Sequence, residues 1–168
     1  MIAKTRLQVE KTLLETADRV VATSPQEKQH MRSLVSSKGK IDIIPCGTDL
    51  ERFGSIARST ARRHLGIAPE TKVVLYVRRF DPRKGIETSV RAVSMSALPK
   101  ADLKLIIGGG WRPGECDGKE RDGIGSIVEK LGLSDITSFP GALSRDLLPA
   151  YYTAADVCVV PSHYEPLV

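Results

Sequence analysis

Arg78, Arg79, Arg83 and Lys84 fall within seven residues, directly after the apolar, β-branched run Val73-Val74-Leu75-Tyr76-Val77 and just before a helical pattern that opens at Ile86. Strand, basic loop and helix is how α/β proteins hold a phosphate. Ligands sit beyond the carboxyl ends of parallel strands, where helix N-termini and cationic side chains converge. Arg presents a planar fork to phosphate oxygens and Lys a point charge. The chemistry to expect is recognition of a diphosphate; the rival reading is a solvated surface loop.

Other constellations fail on spacing. Gly114-Glu115-Cys116-Asp117-Gly118-Lys119 is one residue short of a P-loop, and Glu120 stands where Ser or Thr should follow the Lys. No G-x-G-x-x-G opens a helix after the first strand, which speaks against a dinucleotide dehydrogenase. Cys46, Cys116 and Cys158 are far apart, form no CxxC pair and join no histidine cluster, so no metal site is expected. Cys158, inside Val157-Cys158-Val159-Val160, is expected to be a small buried hydrophobe. His163 beside a strand end reads as structural, and Arg58, Arg62 and Arg63 read as a solvated face.

The bulk numbers narrow the class. A length of 168 residues allows one domain that buries roughly 70% of its unfolded surface. Aromatic residues at 5% are too sparse for the stacking platforms that bind single-stranded nucleic acid. A net charge of +5, with Asp and Glu scattered among the Lys and Arg, is only mildly basic and suits anionic small molecules or the inner membrane surface as well as nucleic acid; with aromatics so sparse, no nucleic-acid partner is expected. Free, unpaired cysteines fit a reducing cytoplasm. No apolar run approaches the roughly 20 residues that span a bilayer, and the N-terminus does not read as a signal peptide.

The elements that must position the basic loop follow from periodicity. Residues 3–17 read as an amphipathic helix with Val9, Leu13 and Ala17 on one stripe. Residues 19–23 form a strand, and Ser24-Pro25-Gln26-Glu27 then opens a helix with a cap, a proline at its first position and a reciprocal Glu. Residues 41–44 form a strand closed by the turn at 45–49, and a helix over 58–65 ends at Gly66. Further strands are expected at 72–77, 103–107, 136–139 and 157–160. Helices are expected from Ile86 through Ala97, near 121–131, and from a Ser144 cap through Ala155. The segment 111–123 reads as a long Gly-rich loop, in which Trp111 is either a hydrophobic lid or packing. Alternating strands and helices imply an α/β, Rossmann-like parallel sheet with flanking helices.

Five segments, taken in order, resemble a known family. They are Ala17-Asp18-Arg19-Val20-Val21, Ile44-Pro45-Cys46-Gly47-Thr48-Asp49, Arg79-Phe80-Asp81-Pro82-Arg83-Lys84-Gly85, Leu105-Ile106-Ile107-Gly108-Gly109-Gly110 and Pro161-Ser162-His163-Tyr164-Glu165-Pro166. Together they look like the group 1 (family 4) glycosyltransferases, retaining enzymes of GT-B fold that include sucrose-phosphate-synthase-like proteins. The resemblance implies two Rossmann-like domains facing a cleft. Residues 1–50 would be the tail of the N-terminal, acceptor-side domain with the interdomain link, and residues 51–168 the first part of the C-terminal, nucleotide-sugar-binding domain.

The implied activity is transfer of a hexosyl group from a nucleotide-sugar, UDP-linked by expectation, to an unknown acceptor with retention. Arg79 and Lys84 match the pair that grips the donor diphosphate. Glu165 matches the first Glu of the family's E-x₇-E element, which bonds the transferred sugar. Gly141, Ala142 and Leu143 resemble the base-contacting loop, while Gly108, Gly109 and Gly110 leave room for the nucleotide or serve turn geometry. No cofactor or metal is implied beyond the donor itself.

The resemblance has three departures. Arg78 stands where the family has Gly, and it either obstructs the donor or adds a phosphate contact. Glu165-Pro166-Leu167-Val168 stands where the family reads Glu-Pro-Phe-Gly-Leu-Val, and the sequence ends before the second Glu. A truncated fragment is expected, with a partial GT-B fold, exposed edges and self-association or pairing with a missing domain. The alternative is a non-catalytic remnant that binds nucleotide or phosphate weakly, or only a partner chain.

Overall fold

The computed structural model describes residues 2–163. Two compact units divide between Thr48 and Asp49.

The first unit holds α1 (Ile2–Thr16), β1 (Val20–Ala22), α2 (Pro25–His30) with a π-helical turn at Met31–Val35, and β2 (Ile41–Ile43). The strands pair in parallel, Val20 opposite Ile41. The cap of α2 forms as its sequence dictates: the Glu27 N–H donates to Ser24 Oγ at 3.1 Å. The reciprocal Glu27 carboxylate accepts from the Thr23 hydroxyl and N–H at 2.7 and 2.6 Å, one residue before the cap, and these bonds hold it below the usual carboxylate range. The core is Leu14, Ala22 and Ile41. The expected stripe of α1 is therefore corrected. Leu14 is the inward residue, while Val9 and Leu13 face solvent and Ala17 lies past the helix end. With two short strands beneath it, α1 buries a line of contact rather than a broad face.

The second unit holds α3 (Leu50–Gly54), α4 (Arg58–His64), β3 (Lys72–Val77), α5 (Ile86–Ser94), β4 (Leu103–Gly108), α6 (Cys116–Lys130), β5 (Thr137–Gly141), α7 (Leu148–Ala154) and β6 (Val157–Cys158). The four strands are parallel, in the order β5-β4-β3-β6. Side chains alternate with the period of two that a pleated strand imposes. Tyr76, Leu105 and Ile107 face α5 and α6 and pack on Ile86, Val90, Ile124 and Val128. Val73, Leu75 and Ile106 face α4 and α7 and pack on Ala61, Ala150 and Ala154. On α5, Ile86, Val90 and Val93 recur at i, i+4 and i+7, which lays one apolar stripe on the sheet.

An ion network around the buried Arg62 pins the second face. The Arg62 side chain is 6% exposed and donates to Asp156 at 2.8 Å and to the carbonyls of Ala154 and Pro69. Asp156 also accepts from Arg58 at 2.6 Å and from the Val73 N–H at 2.7 Å. Burial works to raise the Asp156 carboxyl, but the Val73 N–H and the two guanidinium groups outweigh it and leave it lowered.

Other expectations are also corrected. Arg62 is not part of a solvated face: its charge is matched inside the protein. Cys158 is exposed, not buried, because β6 is the outer strand of the sheet among the described residues and pairs over two residues only. Much of the 111–123 segment is the start of α6. There the Asp117 carboxylate accepts from the Gly118 N–H at 2.9 Å and the Arg112 N–H at 3.3 Å, and Gly118 presses against the Arg112 carbonyl. Ser144 caps a turn through the Leu147 N–H at 3.3 Å, and α7 begins only at Leu148. Nor did the residues suggest α3, which lies against α7 through an edge-on Phe53–Tyr152 contact and the Arg52–Asp146 ion pair at 2.6 Å. No helix among the described residues is long and apolar enough to cross a membrane.

A candidate diphosphate site at the switch point of the sheet

The chain lays down β3, β4 and β5 in one direction and then returns to place β6 on the other side of β3. The strand order thus reverses between β3 and β6, and a crevice outside the carboxyl ends at such a switch point is where open α/β sheets bind ligands. The loop after β3 and the segment after β6 meet there. The His163 N–H donates to the Arg83 carbonyl at 3.0 Å. Gly85 adopts φ +67°, in the left-handed region, and a side chain on it would run into the Pro161 carbonyl oxygen. Only glycine meets both demands.

The basic loop is shaped by its own residues. Asp81 caps a 3-10 turn at Pro82–Lys84 by accepting from the Arg83 N–H at 3.0 Å, and proline occupies the first position of that turn. The Asp81 carboxylate also takes a two-pronged bond from the Arg83 guanidinium, at 3.0 and 2.6 Å. The Arg83 side chain, then its N–H, lower the Asp81 pKa from 3.8 to about 2. Arg83 is thereby neutralised. Arg79 is different: it is exposed and makes no hydrogen bond or ion pair with another described residue. It lines a cavity of about 360 Å³ with Phe80, Asp81, Arg112 and Cys116 at the N-terminus of α6. Lys84 sits half-buried in the same loop. An exposed guanidinium beside a cavity at the end of β3, with no hydrogen bond or ion pair among the described residues, can hold an anion, and phosphate suits its fork.

The two glycine-bearing loops come together beside this one. The Gly109 N–H donates to the Gly141 carbonyl at 2.9 Å, and the Arg78 N–H donates to the Gly108 carbonyl at 3.0 Å. The space at Gly108 is taken by the Leu143 side chain, that at Gly110 by Ala142, and that at Gly109 by the Arg78 carbonyl. The close approach these glycines allow is thus between the protein's own loops, which seats residues 141–143 on the turn at 108–110. Arg79, Lys84, Gly109, Gly110, Ala142 and Leu143 lie beyond the carboxyl ends of β3, β4 and β5, and Gly108 and Gly141 are the last residues of β4 and β5. Glu165 lies outside the described residues.

Sequence reasoning missed what joins these loops. Phe80, 3% exposed, meets Trp111 edge-on at 5.6 Å and Phe139 at 6.3 Å. The Arg121 guanidinium lies over both Trp111 and Phe139, at 5.2 and 4.8 Å. An aromatic directly after Arg79 and another directly after the glycine turn were the available signal.

Comparison with known proteins shows the family. Over 157 residues the chain is 33% identical to D-inositol 3-phosphate glycosyltransferase of Mycolicibacterium gilvum, covering 93% of this chain and 34% of that protein. The homonymous protein of Nocardia farcinica is 32% identical, with 93% and 35% covered. The chain therefore spans about a third of the length of these curated relatives. Sucrose-phosphate synthase from Thermosynechococcus elongatus superposes with a TM-score of 0.88 at 45% identity, over 97% of this chain and 39% of that one. Anabaena HepE, solved in complex with UDP and glucose, shares the fold at a TM-score of 0.81 and 23% identity, over 95% of this chain and 42% of its own. The parallel, helix-flanked sheet corresponds to part of the GT-B fold of these longer chains. The Glycosyltransferase Family 4 description matches residues 1–52. Since the Glycosyl transferases group 1 description matches residues 57–167, about two thirds of the sequence, the chain belongs to the group 1 glycosyltransferases.

Proposed function

We propose that this chain carries the donor-binding part of a retaining hexosyltransferase, and that Arg79 and Lys84 grip the diphosphate of a UDP-sugar at the β3–β6 switch point. The observation that carries the reading is the exposed Arg79 guanidinium, which makes no hydrogen bond or ion pair among the described residues and lies beside a cavity at the carboxyl end of β3, while its neighbour Arg83 is paired with Asp81. In the reaction the bond from the sugar anomeric carbon to the β-phosphate oxygen breaks and its electron pair stays with the phosphate. The acceptor oxygen forms the new bond to that carbon, and its proton passes to the departing phosphate. Negative charge grows on the departing phosphate, and fixed cations stabilise that change more than the ground state. Loss of such a donor typically costs on the order of 10²–10³ in turnover. Gly141, Ala142 and Leu143 would receive the base, with Gly108, Gly109 and Gly110 beneath them, and Glu165 would bond hydroxyls of the transferred sugar. The relatives support a nucleotide-sugar chemistry: one is named a glycosyltransferase acting on an inositol phosphate, and HepE holds UDP and glucose.

The test is calorimetric titration of the chain with UDP and UDP-glucose, beside the double variant Arg79→Ala, Lys84→Ala. Saturable heat from the native chain that disappears in a folded variant is expected. A folded native chain that gives no heat, or a variant that binds as well, would overturn the reading.

A further inference from the structure

From the aromatic packing between the loops, and resting on the donor-site reading above, we infer that Trp111 is a positioning residue that sets the spacing between the phosphate-gripping and base-receiving halves of the site. Its indole stands between them. On one side it meets Phe80, whose backbone carries Arg79, at a ring separation of 5.6 Å and an interplanar angle of 82°. On the other its six-membered ring approaches Gly141, the first residue of the base-receiving loop, with 3.8 Å to the place a Cβ would occupy. The Gly109–Gly141 hydrogen bond closes the same junction from below. Arg121 clamps the arrangement from α6. Its guanidinium lies over Trp111 and Phe139; among the described residues its Nε is buried without a hydrogen-bond partner, and its carboxylate contact, to Asp122, is long at 3.4 Å. The faces of the two rings take up much of that cation's field.

A half-buried indole in this position does more than fill volume. A nucleoside diphosphate is a two-headed ligand whose base and phosphates engage different loops. Its affinity exceeds that of either half through effective concentration, and that gain survives only while the loop spacing matches the ligand. Phe80 cannot move without carrying Arg79, and Trp111 ties Phe80 to Gly141. Loosening Trp111 therefore uncouples the halves without removing a ligand contact from either one.

The experiment compares UDP, uridine and inorganic pyrophosphate as ligands of the native chain, Trp111→Ala and Trp111→Phe. Trp111→Ala is expected to weaken UDP about tenfold while leaving uridine and pyrophosphate within about twofold, since only the linked ligand senses the spacing. Trp111→Phe, which keeps an aromatic edge for Phe80, restores most of the UDP affinity. A purely structural role would weaken all three ligands together, and a spectator would change none. Either result overturns the inference while leaving the donor site standing. A native chain that binds no UDP overturns both. If the alanine variant does not fold, Trp111→Leu carries the same comparison.

Discussion

Removal of the Asp156 carboxylate should be the most damaging single change in the second unit. Asp156→Ala strips an acceptor from three donors at once: the Val73 N–H, Arg58 and Arg62. Arg58 is 47% exposed and water replaces its lost partner, so that part costs under about 1 kcal/mol. Arg62 cannot be rescued in this way. At 6% exposure its guanidinium would stay buried with carbonyls alone, and an orphaned buried charge of this kind costs about 3–5 kcal/mol. Domains of this size are stable by about 5–15 kcal/mol, so the loss is a large fraction of the total. In urea, with a slope of about 2 kcal/mol/M, the unfolding midpoint followed by circular dichroism should fall by about 2 M. The double variant Arg62→Met, Asp156→Leu should recover much of that loss, because it removes both charges and keeps the volume. A midpoint for Asp156→Ala within about 0.5 M of the native one, or an equal loss in Arg58→Ala, would refute the argument.

Acid should unfold the protein through its matched carboxylates. Asp81, Glu27 and Asp156 all have lowered pKa values, so the stability they contribute is complete above the ordinary carboxylate range and lost as pH falls through their folded values, near 2 for Asp81. Melting temperatures should be flat from neutral pH to about 5 and drop steeply below about 4, and Asp156→Asn should flatten that limb; an unchanged limb would count against the assignment. Gly85→Ala and Gly66→Ala both force an L-residue into left-handed backbone, at about 1–2 kcal/mol each. Only Gly85 faces a carbonyl, so its variant should lose clearly more in a urea melt and should also weaken UDP; equal losses would show that the Pro161 contact is unimportant.

The elements that read clearly in the sequence are those with one dominant signal. The strand at 72–77 emerged with its limits intact, because an unbroken β-branched run ends in turn chemistry. The start of α2 was legible too: the Ser24 hydroxyl caps an orphan N–H and Pro25 brings none of its own, although the Glu27 carboxylate bonds Thr23, one residue before the cap. The basic loop itself was legible because four cations follow that strand; the choice of Arg79 and Lys84 within it came from the family resemblance and not from their spacing. What failed depended on partners far along the chain. Arg62 looks like any surface arginine until Asp156, 94 residues later, comes to meet it. Cys158 sits in an apolar run, but burial is a property of the sheet and not of the strand, and among the described residues β6 is an outer strand. The start of α6 was hidden by its glycines, which pattern reading counts as loop formers; Gly118 is there because a helix must pass close to the Arg112 carbonyl.

The place of the indole has a spectroscopic consequence. Trp111 is the protein's one tryptophan, and it lies in the second unit. Emission excited at the red edge, where tyrosine is silent, therefore watches residues 49–163 and is blind to the unit that ends at Thr48. Far-ultraviolet circular dichroism sees the helices of both. Superposition of the two melting curves is thus a direct check on whether the units lose structure as one cooperative body, and a gap between them separates their stabilities without any label.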